Sequence, residues 1–153
     1  MTRTTLTCSL PDLLQNRLDQ VPHRDHPRRH LRPLTPGSIC ELHWHPNAQE
    51  WLYFHSGTGR ATIFIGNANA RTFDFQAGDT AVFPDNSGHY IENTSETEDL
   101  VWIEMYKSYR VADISLSQWL ALTPPSIVAS TLKVPLSFAE GLKKEKLLLV
   151  KRS

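Results

Sequence analysis

The sequence predicts a mainly β fold, a small antiparallel β-barrel with C-terminal helices, on three observations. Short runs of β-branched and aromatic residues recur between turns rich in glycine, proline and asparagine from Gly37 to Tyr106. A pattern running from Gly37 through His43, His45 and Glu50 to Gly57, then Gly78, Pro84, His89 and Asn93, draws three imidazoles and one carboxylate from three separate segments. Beyond residue 107, alternation gives way to helical spacing with capping signals. The chain thus divides into an N-terminal tail with one helix (1–36), a barrel (37–107) and a helical segment that packs on the barrel (108–153).

In the tail, Ser9 is a helix N-cap, Pro11 sits in the first turn and Asp12 follows the cap by three, ahead of Leu13, Leu14, Leu18 and Val21 at helical spacing. The stretch His23–Pro33 is basic but broken by prolines, which oppose regular structure. Lacking interleaved aromatics, it reads as a solvated tail rather than a phosphate-binding arm.

Along a strand successive side chains alternate faces, so His43 and His45 point one way and Trp44 the other. Pro46 and Asn47 supply turn chemistry, and Glu50 opens an aromatic-rich run to Phe54, read as the hairpin neighbour that brings in the carboxylate. Ala61–Ile65 and Arg71–Phe75 flank the hairpin signal Gly66–Ala70. Thr80–Phe83 and Leu100–Tyr106 complete the strands. The last is apolar on both faces, which predicts a cover on its outside, and 108–153 is the segment available for it. There Ser115 and Gln118 form a capping box ahead of Trp119, Leu120 and Leu122, and Thr123 with Pro124 starts a helix carrying Ile127, Val128 and Leu132. A third box, Ser137 to Glu140, is expected to open a lysine-rich final helix.

Composition excludes little. Sixteen basic and sixteen acidic side chains cancel, so nothing in the balance calls for nucleic acid or a membrane surface. No apolar run is long enough to span a bilayer. The first residues lack the apolar core of a signal peptide, which makes the cytoplasm the default expectation. Cys8 and Cys40 are too few to form a disulfide framework.

The chemistry lies in His43, His45, Glu50 and His89. A lone strand histidine is ordinarily a hydrogen-bonded or partly exposed residue. Three imidazoles and a carboxylate, with glycines where hairpins turn, are instead the ligand set of a divalent transition metal. Structural zinc is satisfied by four ligands. Manganese and iron(II) prefer six, which leaves two positions for water or a small carboxylate.

The segments Glu41–Asn47, Ala70–Asp79 and Gly88–Asn93, with Ala112–Pro124 and Lys144–Lys146, resemble the oxalate decarboxylases of the cupin superfamily, specifically the second of their two cupin domains. The likeness runs from about Gly37 to the C-terminus. It implies a jelly-roll barrel, Mn(II) as the ion with Fe(II) or Zn(II) as alternatives, oxalate as substrate, dioxygen as an unconsumed partner, and formate with carbon dioxide as products. It also implies homo-oligomer formation through cupin faces. Glu104, which shares strand parity with Leu100, Trp102 and Tyr106, falls where that family has a glutamate beside the metal, and is the candidate catalytic acid.

Three departures bear on activity. Cys40 stands where the family carries an arginine that grips the substrate carboxylate, and Asn86 stands where it carries a glycine. The family enzyme has two cupin domains and this chain one, the strands before Gly37 being replaced by the proline- and arginine-rich stretch. The alternative to a decarboxylase is therefore a non-catalytic metal-binding module or a shortened remnant of a two-domain enzyme.

Overall fold

Two antiparallel sheets, facing each other across an apolar interior, organise the chain in the computed structural model, which describes residues 33–108, 110–147 and 149–151. The elements in order are β1 (Ser38–Trp44), β2 (Glu50–Ser56), β3 (Thr58–Phe64), β4 (Ala70–Gln76), β5 (Thr80–Phe83), β6 (Gly88–Asn93), β7 (Val101–Tyr106), β8 (Ile114–Ser115), α1 (Leu116–Leu122), α2 (Pro125–Leu132), α3 (Leu136–Glu140) and β9 (Leu149–Lys151). The larger sheet runs β4-β3-β6-β1-β8, with β9 also on β1; the smaller runs β5-β2-β7. The expected mainly β, antiparallel architecture with C-terminal helices is what is found. The helix expected over Ser9–Val21 lies outside the described residues.

Alternation sets the inner face. In β2, Glu50, Leu52 and Phe54 are buried while Trp51 and Tyr53 face outward. Leu52, Phe54, Phe83, Ile91, Leu100 and Trp102 form the core between the sheets, with Cys40 and Phe75 packed against it. Phe54 stacks on Phe75 at a centroid distance of 4.5 Å. Fully burying side chains of this size is worth about 1.5–3 kcal/mol each.

In β1 the register against β6 slips between Cys40↔Ile91 and His43↔His89. This bulge turns Cys40 and His43, three residues apart, onto the same inner face.

Some local expectations need correction. Glu50 does not come from a hairpin partner of β1: β2 pairs with β5 and β7, so the chain changes sheet between His45 and Glu50. No lysine-rich final helix forms, because Pro135 caps α3 and puts Ser137 inside it; the helix stops at Glu140. The apolar stretch after the lysines adds β9 to the free edge of β1 instead. The Ser115 hydroxyl does accept from Gln118 N, but the Gln118 side chain turns to the Lys144 carbonyl rather than closing the box. α1 packs on β1 and β8, with Trp44 and Trp119 edge to face at 5.8 Å, while α3 packs on α1 and α2; Met105 on β7 stays 54 % exposed.

Candidate metal centre

The strand ends nearest the start of β2 converge on one small volume. His43 is near the end of β1, His45 just beyond it, His89 is the second residue of β6, and Glu50 the first of β2 in the facing sheet. His43 and His89 are direct cross-strand partners. The Pro46–Asn47 turn and the Asn86 N–H, which donates to the His45 carbonyl at 2.8 Å, fix the crossing between sheets. Asn86 adopts φ 58°, a left-handed geometry that Asn tolerates better than most residues.

All four side chains are buried, and one ligand atom from each lies within 4.8 Å of the others. Each imidazole is oriented by a backbone carbonyl. Nδ1 donates to Glu41 O at 2.6 Å from His43, to Ala112 O at 3.0 Å from His45, and to Ser87 O at 2.9 Å from His89. A carbonyl can only accept, so each Nδ1 carries the proton and Nε2 is left as a lone pair.

The consequence is an unbalanced polar centre. His89 Nε2 lies 3.0 Å and His45 Nε2 3.4 Å from Glu50 Oε2, yet none of these three buried atoms makes a hydrogen bond. Each such group costs about 1–3 kcal/mol, more if charged. A cation receiving the lone pairs together with the carboxylate relieves all three at once, so the residues fit a divalent ion.

The titration behaviour reflects the other state of the cation-free centre, in which an imidazole that takes a second proton on Nε2 faces the Glu50 carboxylate. Burial, with His89 close by, pushes His43 down to about 4. For His45 the burial penalty is outweighed by Glu50, and its pKa is raised. Burial would raise Glu50, but the His45 and His89 imidazoles overcome it and hold the carboxyl at about 2.

Glu104 lies on the inner face of β7, opposite buried Leu52, but outside the four-residue cluster. Its two oxygens accept from Trp102 Nε1 and Tyr106 Oη, each at 2.8 Å. The Tyr106 ring meets His45 edge to face at 5.0 Å. Cys40 is inward-facing, and burial, followed by the charges of Glu104 and Glu50, pushes its thiol up to about 12. A cavity of about 460 Å³ borders His43 and His89, but Leu42, Trp44, Phe64 and Leu116 give it an apolar lining unsuited to a dicarboxylate.

Sequence reasoning missed the groups that support this centre. The carbonyls of Glu41, Ser87 and Ala112 have no side-chain signature. Asn47 and Tyr106 become visible only once residues 110–112 and β7 are placed in space.

Similar proteins share the arrangement of sequence and fold. The chain is 66 % identical over 117 residues to a probable oxalate decarboxylase of Arthroderma benhamiae, spanning 76 % of this chain and 29 % of that one. It is 46 % identical over 122 residues to oxalate decarboxylase OxdC of Bacillus subtilis, spanning 80 % of this chain and 31 % of OxdC. A solved structure of the Bacillus subtilis oxalate decarboxylase, a protein with Mn(II) centres, superposes with a TM-score of 0.74 at 46 % identity, covering 77 % of this chain and 31 % of that chain. The chain therefore spans under a third of the length of these relatives. Residues 30–137 match the cupin family, and with the two-sheet barrel in place the chain belongs to it.

Proposed function

We propose that the chain binds Mn(II) through His43, His45, Glu50 and His89 and decarboxylates oxalate to formate and carbon dioxide, with Glu104 as the proton-transferring group. The observation that carries this reading is the convergence of four buried donors in which His45 Nε2, His89 Nε2 and Glu50 Oε2 make no hydrogen bond among the described residues. The named activity of relatives at 66 % and 46 % identity supports the substrate. Mn(II), with Fe(II) or Zn(II) as alternatives, supplies Lewis acidity and, if redox-active, one-electron chemistry with dioxygen as an unconsumed partner.

The protein's own contribution is proton handling. Hydrogen bonds from Trp102 and Tyr106 favour the ionised form of Glu104. In that form it accepts the carboxyl proton of hydrogen oxalate. As the C–C bond breaks, carbon dioxide leaves, the bonding electron pair stays on the formate carbon, and Glu104 returns the proton there. Atoms and charge balance, with no net oxidation.

A second reading is favoured by Cys40. An arginine at this position would face Glu104 and Glu50, while the thiol offers no positive charge to hold a carboxylate. The chain would then bind metal without gripping substrate. Elemental analysis of the purified protein, coupled to a formate assay on wild type and Cys40→Arg, separates the two. Metal-dependent formate from either protein supports the decarboxylase, and stronger oxalate binding by Cys40→Arg identifies the missing cation. Stoichiometric metal with no formate from either supports the binding module, and absence of metal removes both.

A further inference from the structure

We propose that Asn47 is a positioning residue of the metal centre, acting on His45 through the Ala112 carbonyl; this rests on the metal-binding reading above. Two of the three imidazoles are oriented locally. The carbonyls that receive His43 and His89 belong to residues only two positions earlier, at Glu41 and Ser87, so strand geometry supplies them. His45 differs. Its partner, Ala112, is 67 residues away, in a stretch from 111 to 113 with no regular secondary structure. A carbonyl in such a segment orients a ring only if something fixes the segment.

Asn47 does so from two residues beyond His45. Its Nδ2 donates to Arg110 O at 2.8 Å, and its Oδ1 accepts from Ala112 N at 2.8 Å. The two bonds bracket the residues on either side of position 111. Ala112 is thereby held by its N–H to Asn47 and by its carbonyl to His45, closing a ring through Pro46. The next residue is held from another side, since Lys146 Nζ lies 2.5 Å from the Asp113 carboxylate, and β8 then pairs Ile114 with Trp44. One planar amide presents a donor and an acceptor side by side. Aspartate offers only acceptors and alanine neither.

The effect on the centre follows from the tautomer. A fixed carbonyl at Nδ1 keeps the proton there and directs Nε2 at Glu50. A loosened one lets the ring rotate or carry its proton on Nε2, where it cannot receive a cation. Arg110 and Ala112 thus support the metal site from beyond the barrel strands.

The experiment compares full-length wild type, Asn47→Ala and Asn47→Asp, measuring Mn(II) affinity by titration calorimetry, melting of the metal-free protein, and the His45 Nδ1–H by imidazole nitrogen NMR. Asn47→Ala is expected to weaken Mn(II) binding roughly tenfold, at the low end for groups that orient a ligand imidazole, and to lose the Nδ1–H signal. Asn47→Asp keeps the acceptor for Ala112 N but sets a carboxylate against the Arg110 carbonyl, and is expected to fall between, at about threefold. A merely structural role would lower the melting temperature while leaving the affinity of the folded protein and the resonance in place. A folded Asn47→Ala that binds Mn(II) within twofold of wild type overturns the proposal, and if that variant does not fold, the same result for Asn47→Asp does. Wild type that binds no Mn(II) overturns the metal-centre reading along with it, whereas tight wild-type binding unchanged in the variants overturns this inference alone.

Discussion

Glu50 bears the largest electrostatic demand of any residue in the centre, because it is the one carboxylate among the four buried donors and two imidazole nitrogens lie within 3.4 Å of it. Replacing it with the isosteric Gln keeps the volume and removes the charge. Glu50→Gln is expected to lower Mn(II) affinity by on the order of 100-fold or more, measurable by calorimetry, since it alters a direct donor rather than a supporting group. An affinity within tenfold of wild type would mean that the ion sits elsewhere. The same cluster fixes a pH dependence. His43 is held at about 4 against an ordinary 6.5, and Glu50 at about 2 against 4.5, so between those values the unfolded chain binds more protons than the folded one. Stability of the metal-free protein should therefore fall as pH drops from about 6.5 towards 2. The raised pKa of His45 acts in the opposite sense, adding stability as pH falls through its folded value towards 6.5. Melting temperatures of chelator-treated protein would test this, and a flat profile between pH 6 and 3 would contradict it. At this scale the convergence of the four side chains was readable because strand alternation and turn residues are local signals. The carbonyl of Ala112 was not, since every residue type carries one.

At the scale of elements, the turns at the end of the barrel away from the metal centre set tight conditions. Gly57 joins β2 to β3 at φ +82°, and a Cβ built there would lie 2.5 Å from the Asp99 carbonyl oxygen. Gly57→Ala combines left-handed strain with a backbone clash and should cost about 2 kcal/mol or more, read from denaturant midpoints. Asn93 secures the same end by donating to the carbonyls of Leu34 and Glu98, both at 2.7 Å. The helices offer the opposite opportunity. Lys133 caps α2 at φ 58°, a conformation glycine adopts without penalty, so Lys133→Gly is expected to stabilise by about 0.5–1 kcal/mol. Unchanged or lowered stability would show that the Lys133 side chain makes a compensating contribution. β2 to β5 and β7 were legible from alternation and turn residues, whereas β6, which carries His89, was not among the expected strands. The expected helix over the final lysines failed because its sequence competes for two fates, and a free β1 edge favoured β9.

For the barrel as a whole, the centre lies across the seam between sheets. Three donors belong to the larger sheet or its β1 extension and the fourth to the smaller, so an ion held by all four cross-links the two. Binding to the folded state alone stabilises by about 2.7 kcal/mol at 100 times the dissociation constant, which corresponds to a melting-temperature rise of about 5–10 °C for a domain of this size. Adding Mn(II) to chelator-treated protein should show that shift, and Glu50→Gln should abolish most of it. Elsewhere, Trp51, Val82 and Met105 lie side by side on the outer face of the smaller sheet, each at least 41 % exposed.

By itself the sequence determined the fold class, the strands that carry His43 and Glu50, and the inward parity of Glu104, because alternation and turn geometry act over a few residues and are written in them. Only the tertiary structure decided which sheet Glu50 belongs to, that the last residues add a strand, and that residues 110–112 orient His45. Those outcomes depend on which distant backbone groups find each other, and main-chain hydrogen bonding leaves no mark in the identity of the side chains.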